Sequence, residues 1–159
     1  MNVLEFWFPD DGYQDFWFDK SIDEYINKKY KIYLSYYESF EINPQILTDE
    51  EILKVIIILD QFSRNIYRNS IYNKKNDEKA LNLSIFFFKK RNWIDKKLNH
   101  LIFYMMPLRH NESFENYNLL FKILNEINIS KLNDKESDLL QRFKKVSNFK
   151  YKKYLNISI

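Results

Sequence analysis

Apolar residues recur at helical spacing along nearly the whole chain. From Ser21 to about Phe40, the positions Ile22, Tyr25, Ile26, Tyr30, Tyr33, Leu34 and Tyr37 fall on one stripe, with Ser21 and Glu24 spaced as a capping box at its start. Asn43 and Pro44 mark a turn, and a second capping box, Thr48 with Glu51, opens a helix whose apolar face is Ile52, Val55, Ile56, Leu59, Phe62 and Ile66. Asp77 to Arg91 predicts a third helix with Ala80, Leu81, Ile85 and Phe88 inward. Asp95 to Met106 predicts a fourth, stopped by Pro107. A fifth runs from about Glu112 to Ile127, and a sixth from Asn133 or Asp134, with Glu136 in its first turn, into a basic tail ending near residue 155. One glycine and three prolines are too few for short strands and tight turns, so the expected class is all-α. Short connections predict antiparallel neighbours, either a closed bundle or a stack of helical hairpins, in one domain spanning residues 1–159.

The N-terminal stretch "EFWFPDDGYQDFWFDK" breaks this rhythm by printing Phe-Trp-Phe twice around the chain's only glycine. A turn through Pro9 and Gly12 lets the two clusters approach. Phe6, Phe8, Phe16 and Phe18 are expected to pack, whereas Trp7 and Trp17, each with an indole N–H to satisfy, are expected to reach a polar site and floor it.

Composition narrows the classes of function. The 159 residues suffice for one core, and 18% aromatic with 30% charged residues fits a folded chain rather than a disordered one. The apolar runs are cut by Asp60 in "VIIILDQF" and by lysines in "SIFFFKK", far short of the roughly 20 residues of a membrane span. No basic n-region precedes the first apolar residues and Glu5 lies among them, so a cytoplasmic location is expected. With no cysteine and only His100 and His110, neither a disulfide nor a zinc site is expected, and no glycine-rich phosphate loop or nucleophile elbow is present. No cofactor and no metal are therefore anticipated. The 25 basic and 22 acidic side chains nearly balance, but the tail concentrates Arg142, Lys144, Lys145, Lys150, Lys152 and Lys153 among aromatics. That pattern suits nucleic-acid phosphates and bases, or simply a solvated helix face.

Two polar knots carry the candidate chemistry. In "ILDQFSRNIYRNS", Asp60, Arg64 and Arg68 lie at i, i+4 and i+8, with Gln61 and Asn65 beside them. Asp60 can pair with Arg64, leaving guanidinium donors of Arg64 and Arg68 for a carboxylate or phosphate. In "MMPLRHNESF", His110 and Glu112 flank the helix break, where His110 can act as acid or base with Glu112 orienting it, or the two can serve as a cap and a first-turn acid.

"VLEFWF", the second "WF", "IILDQFSRNIYR" and "MPLRHNES", in that order, resemble the bacterial family known as domain of unknown function 924, over about residues 2 to 127. The resemblance implies a tetratricopeptide-like, all-helical fold. It maps Asp60, Gln61, Phe62, Arg64, Asn65 and Arg68 onto the family's Leu-Asp-Gln-Phe-Pro-Arg-Asn signature, with Ser63 in place of the proline, and His110 and Glu112 onto its His-Ser-Glu motif. Of the family's C-terminal signature only Arg142 and Phe143 remain, with Glu136 where a histidine would fall. Three functions stay open: a module binding a small anionic ligand or a peptide or protein partner through Trp7, Trp17, Asp60, Gln61, Arg64, Asn65, Arg68 and His110; an enzyme using His110; and an RNA-binding accessory protein using the tail.

Overall fold

The run from Leu101 to Leu108 is apolar on every side, which on a helix means burial all round. In a computed structural model, which describes residues 2–10, 12–71 and 73–158, it lies in the central helix. The elements in chain order are α1 (Val3–Trp7), α2 (Asp23–Glu38), α3 (Asp49–Ile56), α4 (Ser63–Ile66), α5 (Lys74–Lys90), α6 (Leu98–His110), α7 (Phe114–Glu126) and α8 (Asp134–Ser158). A π turn, Ile57–Phe62, fuses α3 to α4. No strand occurs among the described residues, and the fold is all-α. Helix α6 packs against α3, α5, α7, α8 and the π turn, while α2 covers the π turn and α4. The sequential pairs α5–α6 and α6–α7 pack on each other as helical hairpins do, which is compatible with a tetratricopeptide-like stack.

Local chemistry sets the element ends, with some departures from the pattern. Thr48 and Glu51 form the expected capping box. Ser21 and Glu24 do not: a 3-10 turn, Lys20–Ile22, precedes α2, and Asp19 caps it by accepting from the Ser21 N–H. Asn133 and Glu136 exchange reciprocal hydrogen bonds ahead of α8. The inward face of α5 is Ala80, Leu83, Ser84, Phe87 and Phe88, with Leu81 and Ile85 half-buried. The Phe87 ring stacks on Tyr104 at 3.7 Å and the Ser84 hydroxyl donates to the Tyr104 carbonyl.

Pro107 is the most consequential departure, because it lies inside α6 instead of ending it. An interior proline costs about 3 kcal/mol in an isolated helix. Here eleven residues of the helix are buried, and their packing holds the last turn in place. Helix α7 accordingly begins after a separate cap, Ser113, whose hydroxyl accepts from the Asn116 N–H, and Glu112 is not a first-turn residue.

The two N-terminal aromatic clusters close on each other as expected. Gly12 has φ +80°, and its carbonyl accepts from the Asn99 amide on α6, where an added Cβ would lie 2.6 Å from that nitrogen. The Trp17 indole donates to the Trp7 carbonyl at 3.0 Å, and both rings pack on Phe103.

His100 ties the same segment down through Phe8, ring centroids 4.3 Å apart. Burial, reinforced by Lys97 and Lys96 and opposed by Glu50, pushes its pKa down to about 4. The unfolded chain therefore binds the proton first, so stability falls as pH drops from about 6.5 towards 4. Urea unfolding of wild type and His100→Gln across that window checks this, and the variant's profile is expected to be flatter.

Candidate functional site

Asp60 lies on the π turn. Such a turn holds one residue more than an α turn and rotates the downstream residues by about 100°. On an unbroken α-helix, Asp60 and Gln61 would lie beside the apolar stripe; with the extra residue, the whole of Ile57–Phe62 is buried. The fully buried Asp60 carboxylate accepts from the Gln61 amide at 2.7 Å and meets His110 Nδ1 at 2.7 Å. Arg64 lies 3.4 Å from the same carboxylate and donates to the Asp60 carbonyl at 2.8 Å. Burial raises the Asp60 pKa, but His110, Arg64 and Gln61 outweigh it and hold the carboxyl below its ordinary range.

The extra turn of α6 beyond Pro107 is what brings His110 to this carboxylate. Glu112 does not orient the imidazole: it accepts from the Tyr117 hydroxyl at 2.8 Å, and burial followed by that bond pushes the phenol pKa up. His110 thus has its Nδ1 on Asp60, while no hydrogen bond to Nε2 is present among the described residues.

The donors expected to reach outward from the Asp60–Arg68 face are largely engaged within the fold. Arg68 and Asn65 both hold Asp23 on α2, at 2.6 and 2.8 Å, and Arg64 pairs with Asp77 on α5 at 2.9 Å. The cation that the sequence pattern does not single out is Arg109, next to His110. It is only 8% exposed. Its guanidinium lies over the Phe143 ring at 4.6 Å and donates to Ser147 Oγ at 3.4 Å and to Met106 Sδ at 3.3 Å, while its Nε has no partner among the described residues. No carboxylate pairs with it among the described residues. Burial lowers its pKa to about 10, so it remains a cation at neutral pH. Its one signal in the sequence is its place directly after the apolar run Leu101–Leu108.

Arg109, Arg64 and His110 line two adjoining hollows. The larger, about 730 Å³, lies between the end of α6 and the C-terminal half of α8, and Lys150, Lys153 and Glu112 complete its charged lining. Four cationic side chains therefore face one carboxylate in the lining, with Asp60 and Asp77 paired to Arg64 behind it. Burial and then Arg109 push the Lys150 amine below its ordinary range. The smaller hollow, about 200 Å³, adds Gln61, Asn65, Arg68 and Phe18.

Trp7 and Trp17 are not part of either lining. Both are buried in the aromatic core, where their large apolar area packs on Phe62, Phe103 and Phe16, and the Trp7 indole nitrogen has no partner among the described residues. The roles expected of the N-terminal aromatics are thus exchanged at one position. Phe18, assigned to packing, does stack on Phe103 at 6.0 Å, but it is 60% exposed at φ +71° and lines the smaller hollow. The basic tail is divided as well: Arg142 pairs with Asp138 on the surface, while Lys150 and Lys153 turn into the cleft.

The fold and site define an all-helical protein organised on a buried carboxylate, with a cationic cleft beside it. The family model described as "Bacterial protein of unknown function (DUF924)" matches residues 3–155, and the chain belongs to that family. The match runs past residue 127, through most of α8, so the helix that closes the cleft lies within the family region. No curated protein and no solved structure matches the chain. No helix is long and apolar enough to cross a membrane, and no group of residues suited to a metal ion occurs among the described residues.

Replacing Asp60 with Asn removes the charge that His110 and Arg64 compensate, and is expected to cost about 3 kcal/mol at pH 7. The depressed folded pKa places this contribution above the ordinary carboxylate value of about 4, and it is lost as pH falls through the folded value. Urea unfolding of the two proteins from pH 7 to pH 3 is expected to show the gap closing on acidification.

Proposed function

We propose that this chain binds a small anionic ligand, a phosphate or carboxylate, in the cleft between α6 and α8. The observation that carries the reading is Arg109, a buried cation with no carboxylate partner among the described residues. Asp60 offsets part of the Arg109 charge through space, but no ion pair closes on the guanidinium among the described residues, and a buried charge held without one is open to an anion from outside the fold. Arg64, Lys150, Lys153 and His110 surround the same space, so an oxyanion there meets several donors in a partly desolvated setting. A peptide terminus would offer the same charge. For nucleic acid the division of the tail is unfavourable, since part of the positive charge faces into the cleft and not along a continuous surface.

The Asp60–His110 pair favours a second reading, an enzyme acting on a small anionic substrate. A carboxylate on Nδ1 fixes the imidazole tautomer, so that Nε2 can take a proton and give it back, with Arg109 and Arg64 stabilising developing negative charge. If so, His110→Asn abolishes turnover of a small anionic substrate.

Thermal shift with inorganic phosphate, pyrophosphate and citrate tests the binding reading in wild type and Arg109→Met. Methionine matches the apolar setting, so the variant without ligand is expected to be as stable as wild type or more so, while the ligand-induced shift disappears. A destabilised variant that still responds fully to the anions would make Arg109 a structural residue and remove the basis of the proposal.

A further inference from the structure

We infer that the ligand of this cleft is an amphipathic anion: a phosphate or carboxylate head carrying an apolar chain, bound as a single soluble molecule. This rests on the anion-binding reading above. Along α8 the cleft is lined by Val146, Phe149, Lys150, Lys153, Tyr154 and Ile157, spaced by three, one, three, one and three residues, which is one continuous helix face. Phe149 and Ile157 are 68% and 78% exposed, and Val146 is also exposed. The buried side of the same helix is a different set, Leu139, Leu140, Phe143 and Ser147, so these three apolar side chains are not among those α8 buries in the core.

The arrangement has depth. Arg109 is nearly buried at the base, whereas Phe149 and Ile157 are open at the outside. A bare oxyanion would use the base and leave the apolar stripe in water. At about 730 Å³ the cleft has the capacity of a site for a whole small molecule. A head group on Arg109, Arg64 and Lys150 with its chain laid along Phe149 and Ile157 satisfies both parts, and the charge of the base selects a negative head over a positive or neutral one.

Calorimetric titration of the full chain with inorganic, ethyl, butyl and octyl phosphate, with octyl glucoside as a neutral control, tests this. Each methylene buried on the stripe tightens binding by about two- to fourfold, so octyl phosphate is expected to bind at least about tenfold more tightly than ethyl phosphate. Octyl glucoside is expected to bind at least about tenfold more weakly than octyl phosphate. The double substitution Phe149→Ser, Ile157→Ser, at two exposed positions, is expected to leave the thermal unfolding midpoint near that of wild type and to shrink the octyl-to-ethyl ratio below about threefold. If ethyl phosphate binds in an Arg109-dependent way but octyl binds no better, this inference fails and the anion-binding reading stands. If no phosphate ester binds at all, the reading itself fails. The inference is also overturned if anionic phospholipid vesicles bind while monomeric octyl phosphate does not. A free peptide C-terminus binding more tightly than octyl phosphate would overturn it too, as would a dimeric wild type that the double substitution turns into a monomer.

Discussion

A carboxylate with no access to water must be compensated on every side, and Asp60 imposes that requirement on most of this fold. Its partners come from separate parts of the chain. Gln61 and Arg64 belong to its own helical rod, and His110 comes from the last turn of α6, fifty residues on. Arg64 then reaches Asp77 and so fastens α5, while Asn65 and Arg68, further along the rod, fasten α2 through Asp23. Four helical segments are thereby set in register by ion pairs and hydrogen bonds that converge on residues 60–68. Apolar packing between helices tolerates sliding and repacking; a network of this kind tolerates one arrangement, and it is in such a network that a site can be held to fractions of an ångström.

Two backbone irregularities make the network possible. The π turn adds a residue to the rod, burying Asp60 and Gln61 together while leaving Arg64 at the margin. The proline inside α6 is tolerated because the helix is enclosed by α3, α5, α7 and α8. A π turn and an interior proline each cost stability, and the two sit at the two ends of one 2.7 Å hydrogen bond. Local rules broken at a point where several elements meet are what a functional site is expected to look like.

The sequence shows the helices far better than it shows how their polar residues are spent. Periodicity locates the elements because a 3.6-residue repeat survives any tertiary arrangement. The Thr48–Glu51 box is local and legible; the Ser21–Glu24 box is equally plausible by spacing and loses to Asp19, two residues upstream. The π turn leaves no trace, since one inserted residue changes phase without changing composition. Pro107 misleads because its penalty is that of an isolated helix, and the expected stop conceals the turn that carries Arg109 and His110. The polar signature around Asp60 is visible as a unit, yet its partners lie on α2, α5 and α6, and no spacing rule reaches that far. For Trp7 and Trp17 the indole N–H groups argue for an outward, polar setting. In the fold one N–H is satisfied by the neighbouring tryptophan's carbonyl, and the apolar area of the rings decides their place.

The division between charges that pair internally and charges that do not locates the cleft more sharply than any single motif. By spacing, Arg64 and Arg68 look like the ligand-binding pair, but both are committed to aspartates; they hold the scaffold, with Arg64 also at its edge. Arg109 and Lys150 have no ion-pair partner among the described residues, and Arg109 makes the Lys150 charge costlier, a cost that an anion between them would offset. Phe143 gives Arg109 an aromatic face in place of a counter-charge, which holds the guanidinium without neutralising it. Of Arg142 and Phe143, only Phe143 touches the site; Arg142 is engaged on the surface with Asp138. The aromatic at 143 is therefore explained by what it does for a neighbouring cation, and α8 contributes both the platform beneath Arg109 and the lysines across from it.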